Sequence, residues 1–195
     1  MWHAPHKEEI YLGKLIFLFK RSFKELKSIQ TITMTGMLIA ISVVLVFFFN
    51  VSISKVLRIS FSFLPLAVGS MLYGPAVGGI MGAVSDILGY VIKPAGPFFL
   101  GFTFNKLLTG VLYGIFLYKR PVKLIRVISV SAIITVVVNL LVNPLWLSIM
   151  YGDAYIVLLT GRIVKNLVMF PINTALLLFV LKFVERVKMR STVDG

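Results

Sequence analysis

The residues of this 195-residue chain that could do chemistry are polar groups set in strongly apolar surroundings. The stretch 86–110, DILGYVIKPAGPFFLGFTFNKLLTG, holds a carboxylate, Asp86, and two lysines, Lys93 and Lys106. A Lys-Pro-Ala-Gly-Pro turn lies between them and leads into Phe98, Phe99 and Phe102. A carboxylate at the centre of a membrane span costs about 3 kcal/mol, so it needs a cavity or a partner. Asp86 therefore either meets a ligand or pairs within the protein, with Arg162 or Lys165 as the cations at hand. Pro94 and Pro97 stiffen the turn and Gly96 permits it, so the phenylalanines are presented from a rigid base. Asn139, Asn143 and Trp146 are spaced 4 and 3, which places two amides and an indole on one helical face. Such groups hydrogen-bond and stack a flat heteroaromatic ring, or serve as glue between helices. Arg162 and Asn166 are one turn apart, and the planar fork of an arginine suits both oxygens of a carboxylate. Arg58 adds a cation to the connection 50–61, which reads as a lid or as an ordinary ordered loop.

Bond-making chemistry has little to work with. The chain has no cysteine, its two histidines (His3 and His6) lie in the N-terminal tail, and no HExxH pattern occurs, so no metal or cofactor is expected. A P-loop of the form GxxxxGK[ST] and a GxSxG elbow are also absent, so no catalytic residue is nominated and the chain is not expected to be an enzyme.

What must position these groups is a membrane fold. Hydrophobic residues make up 58% of the chain and its mean hydropathy is +0.97, well beyond a soluble domain. A helix needs about 20 apolar residues to cross the hydrocarbon core. The runs 31–50, 75–92, 98–118, 124–150 and 163–185 meet or approach that length, and a shorter sixth, 61–73, brings both termini to one side. The expected fold is an all-α integral membrane protein of six transmembrane helices, covering 31–187, preceded by an N-terminal basic amphipathic helix within the tail 1–30 and followed by a short tail, 188–195. In that first segment Leu12, Leu15, Ile16, Phe19, Phe23 and Leu26 form a helical stripe, with Lys14, Lys20, Arg21, Lys24 and Lys27 elsewhere. A basic amphipathic helix of this kind lies on lipid or docks on a partner protein.

The net charge of +13 reads as orientation rather than as nucleic-acid binding. Fourteen of the twenty lysines and arginines fall in the N-terminal tail, the connection 119–126 and the C-terminal end from Lys182 onward, which makes that side cytoplasmic and places both termini inside. The other six, Lys55, Arg58, Lys93, Lys106, Arg162 and Lys165, fall in outer loops or outer halves of spans. Asp86 and the polar sets converge there, which describes a pocket open to the outside. In the first span Gly36 and Ala40, four apart, allow another helix to approach closely.

The segment 73–119, YGPAVGGIMGAVSDILGYVIKPAGPFFLGFTFNKLLTGVLYGIFLYK, with NLLVNPLWL at 139–147 and GRIVKNLVMFPINTALL at 161–177, resembles the folate-binding group of the substrate-binding S components of energy-coupling factor (ECF) vitamin transporters. The resemblance covers nearly all of 31–187. It implies a prokaryotic multi-pass cell-membrane protein that binds folate on its outer side without an ATPase site of its own. It also implies a second membrane subunit for coupling and two cytoplasmic ATPases as partners. Gly36 and Ala40 stand where that family commonly has Ala-x-x-x-Ala facing the coupling subunit. Carried onto the pocket, the resemblance gives Asp86 or the Asn139 and Asn143 pair to the pterin, and Phe98, Phe99, Phe102 or Trp146 to stacking. Arg58, Lys93, Lys106 or Arg162 would neutralise the glutamyl carboxylates, with Asn166 beside them. The alternatives are an S component for another vitamin, such as thiamine or riboflavin, and a ligand-free membrane assembly subunit.

Overall fold

A computed structural model of the chain describes residues 7–49, 51–52, 58–59, 61–94, 96–152 and 154–193. The helices are α1 (Lys7–Glu25), α2 (Ile29–Phe49), α3 (Phe63–Tyr73), α4 (Pro75–Ile92), α5 (Leu100–Leu117), α6 (Leu124–Ile133), α7 (Asn143–Tyr151) and α8 (Tyr155–Val193), with a π-helical stretch, Ile134–Val142, joining α6 to α7. Between α2 and α3, β1 (Val51–Ser52) and β2 (Arg58–Ile59) pair antiparallel, Val51 opposite Ile59 and Ser52 opposite Arg58. Lys55 and the side chain of Arg58 lie outside the described residues.

Five helical segments among the described residues are long and apolar enough to cross a membrane: Ile29–Phe48, Pro75–Ile92, Leu100–Leu117, Leu124–Tyr151 and Tyr155–Met189. Their outer faces carry large apolar side chains, with Ile29 82%, Leu167 77% and Phe179 73% exposed, as lipid contact requires. The last of them begins at Tyr155, ahead of the apolar run 163–185, because 155–162 continues the same helix. α3 is the exception in length. Its eleven residues span about 16 Å, roughly half the hydrocarbon thickness. It is apolar on every face and packs against α2, α4, α5 and α8, which is why Pro65 to Met71 are buried without a break.

The tightest packing is between α4 and α5. A Cβ on Gly78 would lie 2.7 Å from the Gly110 carbonyl oxygen, one on Gly82 2.2 Å from that of Lys106, and one on Gly114 2.3 Å from the Pro75 Cα. The two backbones therefore touch through glycine, the close approach that drives helix association in lipid. Around this pair Leu66, Ala67, Met71, Val77, Met81, Leu117, Val127, Val130, Leu177 and Leu181 close the core.

One end of the bundle is tied together by the first helix. α3 turns into α4 through Gly74, at φ +94°, where an L side chain would be strained. The wholly buried Ser22 of α1 fills that turn. Its hydroxyl donates to the Tyr73 carbonyl at 2.7 Å and accepts from the Ala76 and Val77 amides at 3.1 and 3.2 Å. It thus serves donors that the start of α4 leaves without an intrahelical partner. Glu25 accepts from the Tyr118 hydroxyl at 2.9 Å and pairs with Lys119 at 3.3 Å. Burial, and then Glu25 beside it, push the Tyr118 phenol up to about 12. From the other side, Glu185 of α8 accepts the Val122 amide at 3.0 Å, so the α5–α6 connection is held by two carboxylates.

Candidate functional site: a polar cavity at the opposite end

At the other end lies a cavity of about 690 Å³, within the usual range for small-molecule sites. The short α3 makes room for it. Ser62 and Phe63, where α3 begins, line the cavity, so the half-span that α3 lacks is the space the cavity takes up. Its walls come from the far halves of α2, α4 and α5, from the run Ser131–Tyr151 and from the near half of α8.

The α4–α5 wall carries the carboxylate. Asp86 accepts a hydrogen bond from Thr103 at 2.9 Å through one oxygen, which fixes its orientation and leaves the other to the cavity. No ion pair joins it to Arg162 or Lys165 among the described residues. Above it, the Tyr90 hydroxyl donates to the Gly96 carbonyl at 3.0 Å and the Tyr90 ring lies 5.0 Å from that of Phe98. The rigid turn is thereby fastened over the cavity. Lys93 lines the mouth, but its ammonium donates to the Phe47 carbonyl at 3.0 Å and lies 5.7 Å from the Phe47 ring. It therefore caps the last turn of α2, where carbonyls lack partners. Lys106 reaches Ser62 at 2.9 Å and holds α5 to the start of α3.

Aromatic rings form the next part of the wall. Phe98, Phe99 and Phe102 line the cavity, and Phe99 packs at 5.8 Å from Phe102 and 5.7 Å from Trp146. A Cβ on Gly101 would sit 2.4 Å from Phe99 and 2.7 Å from Trp146, so the glycine makes room for both rings. Trp146 itself stands one layer back, donating from its indole to the Asn105 side chain at 3.1 Å. Asn139 and Asn143 do line the cavity. Trp146 shares α7 with Asn143 but does not line the cavity, whereas Leu147, the next residue and one full turn from Asn143, does. Pro144 sits just after the π-helical stretch Ile134–Val142 and cannot donate; the Tyr155 hydroxyl approaches the Leu140 and Leu141 carbonyls at 3.4 Å.

From α8 come Arg162, Lys165, Asn166, Asn173 and Thr174. Asn166 spends its amide on the Arg162 carbonyl at 2.9 Å. Arg162 is only 8% exposed and its Nε has no hydrogen-bond partner. Five buried side-chain polar atoms lack a partner among the described residues, and four of them, Asn105 Nδ2, Asn143 Oδ1, Arg162 Nε and Thr174 Oγ1, belong to cavity-lining residues. Native interiors rarely leave such groups unmet, so their gathering at one cavity marks a place where a polar ligand completes the bonding. Asn105 was not among the sequence-nominated residues. On a helix it resembles any buried amide, and only a partnerless donor on a cavity-lining residue singles it out.

Gly36 and Ala40 do not line the cavity; they are exposed on α2, and nothing comes within 4 Å of a Cβ placed on Gly36.

Residues 30–181 match the model of the family "ECF transporter, substrate-specific component". The chain is similar to the folate transporter FolT of Clostridium novyi (strain NT), 37% identical over 168 residues that cover 86% of this chain and 97% of the relative. It is also similar to the folate transporter FolT of Leuconostoc mesenteroides subsp. mesenteroides, 31% identical over 134 residues, 66% of this chain and 72% of the relative. Among solved structures it resembles the crystal structure of FolT bound with folic acid, with a TM-score of 0.75 and 36% identity over 80% of this chain and 94% of that one.

Proposed function

Because the chain belongs to the substrate-specific components of ECF transporters, we propose that it is the folate-binding subunit of an ATP-driven vitamin importer. The observation that carries this reading is the set of unmet polar atoms around a cavity walled by Phe98, Phe99 and Phe102 and flanked by Asp86 and Arg162. Folate is a flat, donor-rich pterin joined through an aromatic linker to a dicarboxylate, and each part has a complement here. Asp86, fixed by Thr103, accepts from the pterin amino group and ring N–H. Asn105, Asn139 and Asn143 meet the remaining ring positions, and Phe99 and Phe102 stack on the rings. The buried Arg162 guanidinium, with Lys165 nearby on α8, takes the glutamyl carboxylates. Lys93 and Lys106 hold the walls, and Trp146 supports Phe99 and Asn105 from behind. Asn166 positions the α8 backbone.

The protein carries no P-loop, so energy comes from partners: a transmembrane coupling subunit and two cytoplasmic ATPases. The open space over Gly36 and the small Ala40 fit the approach of a coupling-subunit helix. The basic residues near the two ends of the chain and in the connection 119–126 support cytoplasmic termini and hence an outward-facing cavity. The test is to purify the chain in detergent, denature it, record the absorbance of what is released, and titrate the emptied protein with folate. A pterin spectrum and saturable quenching of the tryptophan fluorescence are expected. A flavin or thiamine spectrum would redirect the reading, and an empty protein that binds no vitamin would refute it.

A further inference from the structure

We propose that α1 is a fixed interfacial helix that selects anionic lipid headgroups in the leaflet at its end of the bundle. Three observations support this. First, α1 is locked in place: Ser22 bonds the α3–α4 turn and Glu25 bonds Tyr118 and Lys119, so the helix presents one set of side chains to the protein and another outward. Second, the stripe beside the docked face is apolar and unpartnered, with Ile16 55% and Phe23 56% exposed. Lys20 and Lys27 follow these two residues at i+4, and Lys24 lies beside them. Ile16 thus has an exposed cation one turn along the helix, and Phe23 has Lys24 next to it and Lys27 in the turn that follows α1. Lysines so placed lay their methylene stems along the apolar surface and lift the ammonium to headgroup level.

Third, the chain fixes the height of α1. Only Leu26, Lys27 and Ser28 separate it from α2, whose membrane span starts at Ile29. Three residues reach about 10 Å at most, so the end of α1 lies at the membrane boundary. At that height, flanking lysines meet lipid phosphates, and each near an anionic surface is worth about a fivefold preference. This inference does not depend on which vitamin the cavity holds.

The absence of native cysteine makes the test direct. A bimane probe is attached to Phe23→Cys in the full chain, reconstituted in vesicles of phosphatidylcholine containing nitroxide-labelled phosphatidylglycerol or, at the same mole fraction, nitroxide-labelled phosphatidylcholine. Both lipids should quench the probe, with phosphatidylglycerol at least about fivefold more effective. Lys20→Gln, Lys24→Gln and Lys27→Gln together should abolish that difference while leaving quenching by phosphatidylcholine intact. Folate titration of each variant confirms that the bundle is folded. Equal quenching of the parent by the two lipids would overturn the proposal. Quenching by neither, with the probe shielded only on adding soluble partner proteins, would overturn it in favour of a protein-docking face.

Discussion

Replacing Gly82 by alanine tests the most specific packing in the bundle. The new Cβ would stand 2.2 Å from the Lys106 carbonyl oxygen, 2.7 Å from its carbon and 3.1 Å from the Leu107 nitrogen. Carbon contacts shorter than 3.0 Å are not sustained, so the gap must open by at least 0.8 Å, the difference between 3.0 and 2.2 Å. Both sides of the contact are backbone, and no rotamer change can relieve it. Overpacking of this kind costs about 1–3 kcal/mol. Alanine's helix propensity returns little, because a span in lipid is already helical before the helices associate. At roughly 2–4 °C per kcal/mol for a chain of this size, the melting temperature in detergent should fall by about 2–12 °C. Lys106 and Asn105 lie on the displaced segment of the cavity wall, so folate affinity should fall as well, by about tenfold for each 1.4 kcal/mol of misfit. Gly36→Ala is the control, since nothing lies within 4 Å of its Cβ, and it should melt with the parent. A Gly82→Ala protein that melts at the parent temperature and binds folate equally well would refute the backbone-on-backbone account of the α4–α5 contact.

Two further predictions follow from buried polar groups at the two ends of the bundle. Arg162→Ala should weaken folate binding by about 10- to 100-fold, the worth of charge-assisted hydrogen bonds, without lowering the melting temperature of the ligand-free protein, because it removes a buried guanidinium whose Nε is unmet. Fluorescence titration and thermal melts measure the two quantities separately, and unchanged affinity would remove Arg162 from the site. Ser22→Ala should lower stability by about 0.5–2 kcal/mol, as loss of a helix cap does, with folate affinity preserved because the cavity lies at the other end. An unshifted melt would mean that α1 is not held through this serine.

Much of the helical order was legible because lipid demands long apolar runs with few exceptions. The exceptions were also the hard parts. The run 61–73 is too short to span, and only burial by four neighbouring helices explains why Phe63–Tyr73 is helical and apolar all round. The last helix starts at Tyr155, ahead of the apolar run 163–185, because Arg162 interrupts the hydropathy without interrupting the helix. At the cavity, residue type marked Asp86, Asn139, Asn143 and Arg162 as unusual in lipid, and all four line it. Type alone could not separate Lys93, whose ammonium is engaged by the Phe47 carbonyl, from a cation facing a ligand. Spacing groups Trp146 with Asn139 and Asn143, but three residues along an α-helix fall short of a full turn, and its indole bonds Asn105 behind the wall. The dock of Ser22 was invisible for a different reason: it joins residues more than fifty positions apart, and serine is common.

That dock sets an order of events during synthesis. Ser22 leaves the ribosome well before Ala76 and Val77, the amides it will serve, have been made. Until then α1 has no receptor, and α2 and α3 must be inserted and turned before one exists. α1, translated before α2, α3 and α4, thus reaches its final place only after them, and its seating reports that the α3–α4 hairpin has formed.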